Sequence, residues 1–318
     1  VSQDPAANAP AAPDRRFATI KGILSALLGY FLFSSSDAVI KLLLGTYSTF
    51  QILPFQALFA MIPVTFMILG GRGLRMPRGE NLVWVMARAF LAGLGAVLGF
   101  FAFSHLPLAD VYALAFCAPL IVTVLAPSML GEKIGPRRWA AVIVGFIGVL
   151  VMVRPGFEEL KLGHLAALAT AFSGAGTLII MRRLRGIETA STMATAVMLG
   201  LLAISLPVVP FVWVTPDLRA LGLVAASGLM MGTAQFFMLR ALSLASAAVI
   251  APMQYTMMIW AVFYGFVVFA TDVSPWTLLG SSIVVASSLY TMYRERVRGV
   301  ADRGTAPVSP AAPPIRPE

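Results

Sequence analysis

Two charged side chains interrupt the first strongly apolar stretch of the sequence, in the segment FSSSDAVIKLL at 33–43. A carboxylate inside a bilayer is costly and rare, and its usual work is to hold a cation, an ammonium group or a proton. Asp37 has that capacity. Lys41 follows one turn later in the favourable acid-before-base order, so an i, i+4 salt bridge is the competing role for the pair. If the helix spans 19–44, Asp37 lies about 9 Å outward of its centre and Lys41 about 15 Å. The hydrocarbon half-thickness is about 15 Å, which keeps Asp37 in the core and lets Lys41 snorkel to the outer interface or meet a substrate carboxylate.

The remaining polar and aromatic residues extend this candidate binding set. Tyr30 and Phe33 share the helix of Asp37, and Tyr112 lies in the fourth apolar stretch. Gln235, Phe236, Gln254, Tyr255 and Trp260 lie in the eighth and ninth. An amide in lipid must find hydrogen bonds, so the two glutamines are expected to point inward. Pro119 and Pro252 each remove an intrahelical bond and are hinge candidates. Arg88 is expected to anchor its helix by snorkelling to the cytoplasmic interface. Asp110 suits the start of a helix, and Glu132 suits a structural corner among Lys133, Arg137 and Arg138. The two histidines, His105 and His164, are far apart, and the one cysteine, Cys117, sits within an apolar stretch. The sequence offers no metal-ligand set, no nucleophile with a base and no disulfide, so neither an enzyme nor a cofactor or metal site is expected.

These residues need elements to carry them. Of the 318 residues 59% are hydrophobic and 12% charged, where soluble domains have roughly twice that charged fraction. The apolar stretches lack the alternation of a barrel strand. The expected fold is therefore an all-α integral membrane protein. Ten spans are expected, near 19–44, 49–70, 82–104, 107–129, 137–154, 162–182, 190–213, 218–241, 246–270 and 275–293. No cleavable signal segment is expected. Residues 1–16 and 300–318 are Pro/Ala-rich tails of disordered composition.

The net charge of +9 does not indicate a nucleic-acid partner, because the basic residues fall in short loops. Eighteen of the 23 lie on the side of the N-terminal tail and four on the other. By the positive-inside rule both termini are cytoplasmic. FFAFSHLPLAD at 100–110 and FFMLRALSLAS at 236–246 share Phe-Phe, Leu, Leu and Ala in register. Upstream of them, Ala92-xxx-Ala96 and Gly228-xxx-Gly232 hold the same spacing, which allows close helix approach in lipid. Two repeats are expected, at 17–156 and 157–299. Five spans each is an odd number, so the second repeat is inverted relative to the first, a design of secondary carriers. No Walker-A pattern occurs, so ATP is not the expected direct energy source.

PLADVYALAFCAPLIVTVLAPSMLGEKIGPRRWAAVIVGFIGVLVMVRPG at 107–156 resembles the first repeat of the EamA family of the drug/metabolite transporter superfamily. APMQYTMMIWAVFYGFVVF at 251–269 and SLYTMYRER at 288–296 resemble its second repeat. The resemblance covers nearly all of the chain between the tails. Phe269-Ala270-Thr271-Asp272 departs from the Phe-Gly-Glu pattern usual there. The family likeness implies alternating-access transport of a small molecule across the bacterial inner membrane, with the lipid bilayer as surroundings and no obligatory protein partner. The overall character is similar to YddG-type exporters, which implies export of neutral or aromatic amino acids. A carrier for a nucleoside, cofactor or drug-like cation is the alternative, ahead of a channel or an intramembrane enzyme.

Overall fold

A computed structural model describes residues 15–70, 77, 79–130, 135–154, 159, 161–184, 186–245 and 247–297. All regular structure among them is helical: α1 (Arg15–Leu43), α2 (Thr49–Leu69), α3 (Gly79–His105), α4 (Leu108–Ala115), α5 (Ala118–Leu130), α6 (Pro136–Val153), α7 (Leu162–Arg183), α8 (Ala190–Ser205), α9 (Leu218–Leu244), α10 (Ala247–Ile250), α11 (Thr256–Val267) and α12 (Pro275–Val297), with short 3-10 segments at Val209–Phe211 and Ala251–Tyr255. Among the described residues, seven helical spans are long and apolar enough to cross a membrane. These are α1, α2, α3, the α4–α5 pair taken together, α6, α7 and α9. Glu132 and the two tails beyond 15 and 297 lie outside the described residues.

Caps and prolines set the boundaries. Ser48 caps α2 by accepting from the Phe50 amide, and Asp217 caps α9 by accepting from the Ala220 amide at 2.7 Å, each satisfying a donor that the first turn leaves free. Pro136 opens α6, where its missing N–H is no loss. The stretch expected to span 107–129 is interrupted at Phe116–Cys117, just ahead of the expected hinge at Pro119. Pro119 is the second residue of α5, so it starts a helix instead of kinking one. The stretch at 190–213 ends as an α-helix at Ser205, two residues before Pro207. Pro252 lies in the 3-10 segment between α10 and α11, the second interruption of a long apolar stretch.

The outer surface is apolar. Phe66, Leu69 and Phe266 are each more than 70% exposed, as lipid-facing residues of a water-insoluble surface must be. Inside, small residues let backbones touch. A Cβ added at Gly228 would stand 2.6 Å from the Gln56 carbonyl oxygen, and one at Gly232 would stand 2.4 Å from that of Ala60. These contacts draw α9 against α2. The corresponding close approach in the first half falls one residue from the expected Ala92: a Cβ at Gly93 would stand 2.9 Å from the Gly200 carbonyl oxygen, joining α3 to α8. Helix α1 packs on α9 and α3 packs on α7, while α6 packs on α12. The buried core gathers around Ile40, Leu53, Leu108 and Leu114.

Candidate binding cavity

The contacts that draw these helices together leave a gap among α1, α2, α3, α4, α7, α8 and α9. It forms a cavity with about 690 Å³ of empty space, its open side included. Its walls are mainly apolar, with Phe33, Phe100 and Phe103 supplying rings and Gly95 and Gly99 leaving room beside them. Asp37, Ser36, Gln56, Tyr112 and Thr170 bring the polar atoms. Of the expected binding residues, Phe33, Asp37 and Tyr112 meet here.

Asp37 does not pair with Lys41. The Tyr112 hydroxyl donates to Asp37 Oδ2 at 2.7 Å, across from α4. Lys41 instead donates its ammonium hydrogens to the carbonyl oxygens of Phe103, at 2.7 Å, and Leu106. Its Nζ also sits 5.5 Å from the centre of the Phe269 ring. The sequence explains this partner. The carbonyl of Phe103 would normally accept from the amide of residue 107, which is a proline and has none. A cation at this helix C-terminus also meets the negative end of the helix dipole. Lys41 is therefore neither a free outward anchor nor the partner of Asp37; it finishes α3.

The other expected residues go elsewhere. Tyr30 packs with Ala26, Ala241 and Ile250. Phe236 is 39% exposed and touches Phe237 edge-on. It lies two residues from Ala234, about 200° round the helix. Since α9 turns Ala234 onto α1 at Gly29, Phe236 faces outward. Gln235 and Gln254 are half-buried and do not line the cavity. Trp260 packs edge-on against Phe31 with ring centres 4.7 Å apart. Tyr255 touches the site through an aromatic row: Phe103 packs on Tyr112, Tyr112 on Phe116, and Phe116 on Tyr255. Asp110 does more than start a helix, since it accepts from Thr277 at 2.6 Å and so ties α4 to α12.

Arg88 is a correction of another kind. It is 7% exposed and does not snorkel. Its guanidinium donates to the Met193 carbonyl oxygen and lies 3.6 Å from the Met181 sulfur, so it fastens α3 to α7 and α8.

Sequence reasoning overlooked Gln56. Its amide nitrogen donates to Ser36 Oγ at 3.1 Å and to Ser227 Oγ at 2.8 Å, which links α2 to α1 and α9 beside the cavity. The rule that a buried amide must point inward would have found it, along with the buried Gln51. Gln51 plays a different part, holding the backbone of Val214 through both its amide nitrogen and its amide oxygen.

The family model described as "EamA-like transporter family" matches residues 20–154 and again 161–293. A riboflavin transporter of Vibrio cholerae is 28% identical over 72% of this chain and 78% of its own length. An S-adenosylmethionine uptake transporter of Rickettsia conorii is 27% identical over 85% of this chain and 93% of its own. A pseudopaline exporter of Pseudomonas aeruginosa is 25% identical over 84% and 94%. One solved crystal structure superposes with a TM-score of 0.60 at 18% identity, covering 89% of this chain and 99% of that one, a likeness of fold.

Proposed function

Starting from a chain that belongs to the EamA-like transporter family, within the drug/metabolite transporter superfamily, and is thus a multi-pass inner-membrane transporter of a small metabolite, we propose a secondary carrier that works by alternating access around the Asp37 cavity. The observation that carries this reading is the cavity itself, which has walls from both halves of the chain and one carboxylate among aromatic rings.

The proposed architecture is ten spans in two inverted five-span repeats, at 17–156 and 157–299, with both termini in the cytoplasm. Two facts support it. The family model matches twice, once in each half. The helix contacts also come in exchanged pairs: α1 on α9 mirrors α7 on α3, α2 on α9 mirrors α8 on α3, and α1 on α11 mirrors α7 on α5. The contacts α2 on α8 and α6 on α12 each map onto themselves. In this scheme the two interrupted stretches, at Phe116–Cys117 and at the Pro252 segment, occupy equivalent places. Breaks of this kind are where carriers bend or expose backbone to solute. Pro119 and Pro252 are the proposed hinge markers.

The relatives' named solutes differ from one another, so the substrate is read from the cavity. Rings at Phe33, Phe100 and Phe103 fit a flat aromatic body, and Asp37 fits an ammonium group. Aromatic amino acids, with export as the direction, and aromatic amines share both features. The test is counterflow in proteoliposomes preloaded with members of each class. Saturable exchange of at least one supports the reading. Flux that rises without limit with solute concentration would instead make the protein a channel.

A further inference from the structure

The donors in the cavity wall can be accounted for one hydrogen at a time. The Tyr112 hydroxyl hydrogen goes to Asp37. The Thr170 hydroxyl hydrogen goes to the carbonyl oxygens of Ala166 and Gly95, at 2.9 and 3.4 Å. Ser36, Ser227 and Gln56 form a closed group with four contacts: Ser36 Oγ to the Ser227 carbonyl oxygen, Ser36 Oγ to Ser227 Oγ, and the Gln56 amide to each hydroxyl.

That group fixes which way the amide faces. With nitrogen toward the serines, the amide supplies two hydrogens and each hydroxyl supplies one, so every one of the four contacts has a hydrogen. With oxygen toward them, two hydrogens would have to serve four contacts. The first arrangement satisfies all the buried groups and is the one adopted. Both amide hydrogens of Gln56 are thereby committed to protein, and its head group has only the carbonyl oxygen left to offer. Asp37 likewise keeps its Oδ1 after Oδ2 has accepted from Tyr112. The nearest cation along α1, Lys41, has turned to the end of α3.

We infer that the cavity takes an organic ammonium and discriminates against a carboxylate, with Gln56 acting beside Asp37 as a specificity-determining acceptor. This inference rests on the carrier reading and narrows its substrate class. An ammonium brings the hydrogens that Asp37 and the Gln56 carbonyl lack. A carboxylate would enter a wall whose donors are all engaged, losing its water without replacement. The aromatic amine, not the zwitterionic amino acid, is the fitting solute.

The test is equilibrium binding to the purified full-length protein of three probes with one ring system: tryptamine, tryptophan and indoleacetate. Tryptamine should bind most tightly, tryptophan at least about tenfold more weakly, and indoleacetate without saturation. A fourth probe, the trimethylammonium analogue of tryptamine, keeps the charge but has no N–H on it. Gln56→Leu should weaken tryptamine more than this analogue and so shrink the preference for the primary ammonium. A purely packing role for Gln56 would weaken both equally, which overturns its assignment. Tryptophan or indoleacetate binding as tightly as tryptamine overturns the whole inference, as does tryptamine that does not bind; the wild-type ranking needs no variant to fold. The two readings fail separately: saturable carboxylate counterflow that excludes amines leaves the carrier intact, whereas tryptamine binding without counterflow of any solute leaves only the site.

Discussion

Asp37 and Arg88 are both charged residues within long apolar helices, and the structure treats them in opposite ways. Asp37 borders empty space and receives one hydrogen bond from a neighbouring helix. Arg88 is buried, lies beside the Met181 sulfur on α7 and reaches the Met193 carbonyl oxygen on α8. Position in a membrane helix therefore does not by itself place a charge beside a cavity. What separates the two is whether the surrounding helices leave room for something to enter. Asp37 shares its cavity with Gly95, Ala96 and Gly99 of α3, whereas Arg88 lies buried between α7 and α8.

This contrast can be broken by substitution, beginning with the largest expected effect. Asp37→Asn keeps shape and removes charge, and it should lower kcat/KM for a cationic solute by about 100-fold or more, since an unpaired buried charge is worth about 3–5 kcal/mol. Its thermal midpoint should change little. Arg88→Met should do the reverse: losing the charged hydrogen bond to the Met193 carbonyl oxygen should lower folding stability by about 1.5–3 kcal/mol, with KM unchanged. A large KM change in Arg88→Met would erase the distinction.

Gly228→Ala tests how the cavity is built. The new methyl would press on the Gln56 backbone, and overpacking of this kind costs about 1–3 kcal/mol. A lower thermal midpoint is expected together with weaker solute binding, because Gln56 and Ser227 are forced apart. Tyr112→Phe removes the hydrogen bond that positions the charged Asp37, worth about 1.5–3 kcal/mol, and should raise KM by roughly tenfold. Phe236→Ala alters the lipid-facing side of α9 and should leave transport kinetics at the wild-type level. Each is read by proteoliposome flux beside a thermal unfolding curve.

The helices were largely legible in the sequence, because apolar length is a local property. So was the candidacy of Asp37 as a cavity residue, because a carboxylate in hydrocarbon is expensive wherever it lies. Lys41 is misread when α1 is taken to be surrounded by lipid, because its true surroundings include the carbonyl that Pro107 leaves unpaired. That signal was present in the sequence, but its meaning depends on α3 ending beside α1. Gln235, Gln254 and Gln56 look alike as amides in apolar stretches, and only helix packing sorts them. Helix α2 has no polar face to mark which side turns inward, so the role of Gln56 emerges from the contact of Gly228 with its backbone.

The most direct measurement is carbodiimide labelling of Asp37, followed by mass spectrometry of the peptide that carries it, with and without the solute that gives counterflow. Asp37 should be modified in the empty protein and protected by solute, with half-protection near the KM for transport. Labelling that continues undiminished at saturating solute would contradict a binding site built around Asp37.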